Sequence, residues 1–137
     1  MKAMTNPRRR AIHVPALTMP LSIIARHAGM DIALTVSERL AGKNVSFPRD
    51  VKDWSKMRHG ETMIRLLGDH AQAILDDVDE VRRTWSRRAI TIEIPAAKST
   101  RAAILYNNGA NPDDIAHQLL MSRIWVGRII RENTYNA

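Results

Sequence analysis

From Leu21 onward the apolar residues recur at spacings of three and four: Ile23, Ile24 and Ala28 before Gly29, then Ile32, Ala33, Val36 and Leu40 after it. That period lines one face of a helix, so the stretch predicts two short helices that Gly29 separates or bends. "AGKN" then offers Gly42 as a helix stop, and "NVSFP" alternates and ends in proline, as a short strand or extended segment does. Residues 49–60 show no sustained period and read as a polar connector carrying Trp54.

The plan then recurs. "ETMIRLLGDHAQAILDDVDEV" places Gly68 after an apolar turn and follows it with Ala71, Ile74, Leu75 and Val78 at helical spacing. After the basic run "RRTWSRR" comes "AITIEIP", in which Ile90, Ile92 and Ile94 face one way and Thr91 and Glu93 the other, a strict period of two closed by Pro95. Helix, glycine, helix, strand and proline thus occur twice in one order, although the residue-by-residue match between the copies is weak.

Beyond the second proline the period returns to that of a helix. Residues 97–108, "AKSTRAAILYNN", form a helical stretch that stops at Asn108-Gly109. Asn111-Pro112 opens the next, with Pro112 at its first position and Asp113 and Asp114 in its first turn, where the helix dipole favours acids. Ile115, Ala116 and Leu119 give it a buried face. After "LLMS" a further helix starts, with Ser122 as N-cap, burying Val126, Ile129 and Ile130. Two short amphipathic helices joined by a three-residue turn are the pattern of a helix-turn-helix, with Ile104 and Leu105 of the preceding helix closing a three-helix core. The turn position that is often glycine holds Leu120.

Composition agrees with a helical reading. The chain has 137 residues, 45% hydrophobic but only 4% aromatic, and its Ala, Ile, Leu and Met favour helix over strand. The fold class expected is therefore mainly α, in three parts: a basic flexible arm over 1–20, a helical region with short strands over 21–95, and the helix-turn-helix over 96–137.

Charge changes the picture from fold to partner. The net charge is +7 and the pI about 10.5, which points to a polyanion, nucleic acid first and a membrane surface second. Residues 1–60 hold 11 basic and 4 acidic side chains, residues 61–137 ten of each, so the excess is N-terminal, "RRR" at 8–10 included. No stretch approaches the ~20 apolar residues of a membrane span. Pro15 and Pro20 interrupt the early apolar run, so neither a secretory signal nor a membrane partner is expected, and the protein reads as cytoplasmic.

With no cysteine, disulfides, thiolate metal sites and a cysteine nucleophile are excluded. The histidines, His13, His27, His59, His70 and His117, show no two-ligand spacing, and neither a phosphate-binding glycine loop nor a nucleophile elbow is present. The expectation is a protein that is not an enzyme and uses no metal or cofactor.

The residues with chemistry to offer lie on the last helix. Its other face carries Ser122, Arg123, Gly127, Arg128 and Arg131. In a helix-turn-helix the start of the second helix meets base edges in the major groove, so Ser122, Arg123 and Gly127 are the candidate base contacts, Arg123 for guanine. Arg128 and Arg131 lie further along and suit phosphates. Arg87, Arg88, Lys98 and Arg101 flank the extended segment at 90–94 and suit the same role. Trp125 is expected half-buried against the small core. The bland alternative is that these arginines are the solvated face of an amphipathic helix. "DDVDE" at 76–80 lacks the spaced oxygen ligands of a calcium loop and reads as a solvated helix end or a patch for another protein.

The C-terminal "AAILYNNGANPDDIAHQLLMSRIWVGRIIRE", preceded by "ITIEIP", resembles the Mor transcription activator family of phage Mu and related prophages, as does the N-terminal "LSIIARHAGMDIALTVSERLAGKNVSFP". The likeness covers most of residues 21–132. It implies a homodimer in which the N-terminal helices form the dimerisation region. A short β-strand linker, Ile90–Ile94, would pair across the dimer or lie against the minor groove. It also implies a C-terminal helix-turn-helix that binds double-stranded DNA and activates phage promoters together with host RNA polymerase. A repressor or architectural DNA-binding protein is the nearest rival reading, and a protein–protein adaptor with a basic face is the rival of another class.

Overall fold

The computed structural model describes residues 10–85 and 90–135, of which 81–85 by backbone alone. The chain is mainly helical. In order it forms α1 (Leu21–Ala28), α2 (Met30–Leu40), β1 (Asn44–Phe47), α3 (Val51–Trp54), α4 (Gly60–Leu67), a 3-10 turn (Gly68–His70), α5 (Ala71–Trp85), β2 (Ile90–Glu93), α6 (Lys98–Asn107), α7 (Pro112–Leu119) and α8 (Arg123–Glu132). The described residues fall into two compact units: Leu17–Ala96, and the described part of Met1–Ala16 together with that of Ala97–Ala137. Among them no helix is long and apolar enough to cross a membrane.

In the first unit the helical period is realised as packing. Ile23 and Ile24 of α1, Ala33, Val36 and Leu40 of α2, and Ala71, Ile74, Leu75 and Val78 of α5 are all buried, joined by Leu21, Leu34, Met63 and Leu67. Each large aliphatic side chain buried in this way contributes roughly 1.5–3 kcal/mol. Ile32 and Ala28, expected on the same faces, are only half-buried.

The alternating segments meet each other. β1 and β2 pair antiparallel, from Asn44 opposite Glu93 to Phe47 opposite Ile90. The ladder continues where Ile94 donates its N–H to the Lys43 carbonyl at 2.9 Å and Gly42 donates to the Ile94 carbonyl at 2.8 Å. Val45, Phe47, Ile90 and Ile94 point into the core, while the hydroxyls of Ser46 and Thr91 share a hydrogen bond at 2.8 Å on the other face. The strand expected to pair across a dimer or to lie against the minor groove has a ladder partner within its own chain, β1, which takes up one of its two edges. Hydrophobic alternation specifies a strand's face but not its partner.

The polar connector is also corrected. Asp50 accepts the N–H of Lys52 at 3.2 Å and caps the single turn of α3, which delivers Trp54 fully buried, its ring 5.4 Å from that of Phe47. Gly60 closes over the same tryptophan. A Cβ there would lie 1.7 Å from the Trp54 carbonyl oxygen, so only glycine fits.

The acidic stretch works within its own unit. Asp77 accepts hydrogen bonds from Arg26, at 2.9 Å, and from His27, which ties α5 to α1. Asp79 faces Arg49 at 3.5 Å and Asp76 accepts from Gln72 at 3.0 Å. Asp77 thus fastens α5 to α1 and Asp79 ties it to the loop before α3, while Asp76 pairs within α5, so the stretch does more than the solvated helix end read from the sequence.

In the second unit α6, α7 and α8 enclose a small core of Ala102, Ile115, Ala116, Val126 and Ile129, with Leu105, Tyr106, Ala110, Leu119, Met121 and Ile130 packed partly buried against it. Ile104 is not part of this cluster; Ala102 takes the place expected for it, because a small residue lets the helices approach. The segment read as a flexible arm is fastened to this unit from Ile12 to Pro15. Ile12 is buried; its N–H donates to Oδ1 of Asn107 at 2.8 Å, and its carbonyl accepts from Nδ2 of the same amide at 3.0 Å. Thr100 donates its hydroxyl to the Pro15 carbonyl at 2.8 Å, and the His13 N–H donates to the Asn133 carbonyl at 2.8 Å. Prolines and absent periodicity argued against regular structure in this segment, and they carry no information about long-range fastening.

Candidate functional site

The second unit presents the residues singled out from the sequence. Both helix starts are built as the side-chain pattern requires. Asn111 accepts the N–H of Asp114 at 2.8 Å, with Pro112 in the first turn of α7. Ser122 Oγ accepts the N–H of Trp125 at 3.0 Å and caps α8. Between them the chain turns through Leu120, whose φ of 55° and ψ of 46° lie in the left-handed region. That conformation costs an ordinary L-residue about 1–2 kcal/mol. The Met121 N–H, donating to the Ala116 carbonyl at 2.9 Å, closes the turn. The leucine side chain meanwhile is left 85% exposed.

The outward face of α8 follows from its phase. Val126 and Ile129 are buried. Ile124 and Arg128 each stand two positions from Val126, and Gly127 and Arg131 two positions from Ile129, so all four point about 200° away from the core. They therefore line one exposed strip at i, i+3, i+4 and i+7. Ile124, which sequence reasoning passed over, is 83% exposed and stands beside the first turn of this strip. The signal that would have found it is its distance of two from Val126, the spacing that puts a residue opposite a core position.

Arg123 lies on the flank of α8 rather than on the centre of that strip. Its Nε donates to Oδ1 of Asp113 on α7 at 2.6 Å, and its Nη1 passes 3.8 Å from the point where a Cβ on Gly127 would sit. Gly127 thus leaves the helix surface bare beneath the guanidinium. Arg128 donates Nε–H to Oε2 of Glu132 at 2.9 Å. That hydrogen bond raises the guanidinium further above its ordinary value, so Arg128 is charged at any physiological pH. Both pairs are solvent-exposed, and such pairs are worth about 0–1 kcal/mol, so either arginine can be redirected to a stronger acceptor at little cost.

Trp125 departs from expectation. It is 56% exposed, while the core between α6, α7 and α8 is built from Ala102, Ile115, Ala116, Val126 and Ile129. Ile115, Ala116, Val126 and Ile129 are buried and Leu119 packs partly buried beside them. Lys98 and Arg101 stand in the first turn of α6, Lys98 exposed and Arg101 half-buried. That helix begins with no capping side chain and no acid in its first turn, an end whose free N–H groups favour anions. Arg87 and Arg88 lie outside the described residues.

What the structure brings together on α8 is therefore a capped, exposed helix start (Ser122, Arg123, Ile124, Trp125), a bare glycine, and two outward guanidinium groups. This surface pairs hydrogen-bond donors and apolar atoms on a rigid element, which suits a polyanion that also displays a patterned edge. Comparison of the chain with protein-family models, with curated proteins and with solved structures finds no match.

Proposed function

We propose that this chain is a sequence-specific, DNA-binding transcription regulator that docks α8 in the major groove of double-stranded DNA as the recognition helix of a helix-turn-helix. The observation that carries the reading is the outward strip of α8: a helix joined to its predecessor by three residues, stable on one face through Val126 and Ile129, and presenting Gly127, Arg128 and Arg131 on the other. A net charge of +7 supplies the sequence-independent attraction to phosphates.

In this reading Arg123 and Ser122 meet base edges where α8 begins, and Gly127 lets the helix backbone come close to the groove floor. Arg128 and Arg131 bind phosphates, and Lys98 and Arg101 extend the backbone contact from α6. Resemblance to the Mor family extends the proposal to a homodimer, formed through the region N-terminal to α6, that activates phage-type promoters with host RNA polymerase. Two-fold symmetry then requires a pseudo-palindromic site whose half-sites lie about one helical turn, ~34 Å, apart.

Fluorescence anisotropy of labelled duplexes titrated at several salt concentrations tests the reading. The expected result is affinity that falls steeply with salt, with Arg131→Ala reducing the salt slope by about one. Affinity independent of salt, or unchanged by Arg128→Ala with Arg131→Ala together, would overturn it in favour of an adaptor that binds protein through its basic face.

A further inference from the structure

The most exposed large apolar side chain on α8 is Ile124, 83% accessible, and the role just proposed for the helix does not use it. An isoleucine held in water forgoes roughly 1.5–3 kcal/mol of burial; its neighbours in the strip are Gly127, Arg128 and Arg131, and the exposed apolar side chains nearest in sequence are Trp125 on the flank of α8 and Leu120 in the turn before it. Its surroundings identify the occupant. A purely apolar partner would have to desolvate the outward guanidinium groups of Arg128 and Arg131 beside it, whereas the major groove offers phosphates at its rim and one apolar group on its floor, the C5-methyl of thymine.

Resting on the proposed DNA-binding role, we infer that Ile124 reads thymine: its side chain packs against a thymine C5-methyl and makes at least one position of the binding site a T·A pair. Three placements support this. Ile124 is the second residue of α8, in the part of a recognition helix that meets base edges. It points away from the core, two positions from Val126. Gly127, one turn along the same strip, has no side chain and only Arg123 Nη1 near it, at 3.8 Å from an added Cβ, so the backbone can approach closely enough for a short branched side chain to touch the groove floor. Trp125 lies about 100° round the helix from Ile124 and stays off this contact.

The test removes one methyl from the DNA and, separately, the side chain from the protein. Random-sequence duplex pools are prepared with thymidine and, identically, with deoxyuridine, and each is selected on the full-length protein and on its Ile124→Ala variant. The wild type is expected to enrich a motif with T at a fixed position from the thymidine pool, and to lose about fourfold in preference there with deoxyuridine, the value of burying one methyl. Ile124→Ala, which unfolds at the same temperature because the side chain is exposed, is expected to show no difference between pools at that position, and Ile124→Val to retain most of it. A wild-type motif that is identical in both pools overturns the inference while leaving DNA recognition intact. So does a thymidine preference that survives in Ile124→Ala, because another residue then reads the methyl. Retention of both pools without any motif overturns sequence reading, this inference included, and no retention of either pool overturns the DNA-binding role itself.

Discussion

Arg123 and Asp113 face each other across the turn between α7 and α8, the guanidinium Nε donating to the carboxylate at 2.6 Å. The contact uses one edge of the guanidinium, and the pair is exposed, with side-chain accessibilities of 55% and 81%. An exposed pair of this kind is worth about 0–1 kcal/mol, less than the ~1–3 kcal/mol by which a bidentate arginine discriminates guanine from another base. Arg123→Ala is therefore expected to lose about 1–3 kcal/mol of discrimination at one base position. Asp113→Ala is expected to strengthen binding to every duplex, by removing a negative charge beside the groove. Competition titrations against duplexes differing at single positions check both, and an equal loss for all duplexes in Arg123→Ala refutes its assignment to a base.

Gly127 sits inside a helix, where glycine costs about 0.5–1 kcal/mol relative to alanine. An added Cβ meets only Arg123 Nη1, at 3.8 Å, an ordinary contact. Gly127→Ala is accordingly expected to stabilise the protein by about 0.5–1 kcal/mol while weakening DNA binding, because the methyl holds the helix off the groove. Thermal unfolding and duplex binding measured on the same preparation check the two opposite signs. Gain of stability with unchanged affinity would take Gly127 out of the interface.

Asp77 braces α5 against α1. The hydrogen bond from His27, opposed by burial and aided by that from Arg26, holds its carboxyl below the ordinary value of 3.8. A carboxyl with a depressed folded pKa contributes stability that is complete above its unfolded pKa and is lost as the pH falls through the folded one. Asp77→Asn is thus expected to be less stable than the wild type at pH 7, with the gap closing in the acid range below the ordinary carboxylate value. Urea unfolding at a series of pH values follows it, and a gap that stays constant down to the acid end would show that Asp77 does not act through its charge. DNA affinity is expected to be unchanged in this variant at pH 7, since the brace belongs to the other unit.

Gly60 carries a different kind of constraint. With a Cβ only 1.7 Å from the Trp54 carbonyl oxygen, Gly60→Ala forces the α3–α4 corner apart around a fully buried tryptophan. The expected loss is at least about 1–3 kcal/mol, seen in chemical denaturation as a lower midpoint. An alanine variant as stable as the wild type would mean that the corner relaxes freely.

Local signals were read well and long-range ones were not. Ala71, Ile74, Leu75 and Val78 declared their face because period and burial coincide in a long helix, and Asn111, Pro112 and Ser122 declared the helix starts because capping is a property of three or four consecutive residues. The pairing of β1 with β2, the fastening of Ile12 to Asn107 and the engagement of Asp77 by Arg26 and His27 join residues far apart in the chain, and no local pattern encodes a partner. Trp54 was hidden by its flanks: α3 is one turn whose Lys52 and Asp53 are exposed, so its period is too short to register. Ile124 and Trp125 differ in what the period can say. Ile124 stands two positions from the buried Val126 and is legible as outward, whereas Trp125 stands four positions from the buried Ile129, the phase of a core flank, and its 56% exposure has no signal in the local pattern.

The most direct test of the account is selection of bound sequences from a random duplex library by the full-length protein at near-physiological salt. The account requires retention, and a recovered motif with two-fold symmetry, its halves about one helical turn apart. Retention without any motif would reduce α8 to a phosphate-binding helix, and no retention at all would contradict the central claim that its outward strip reads DNA.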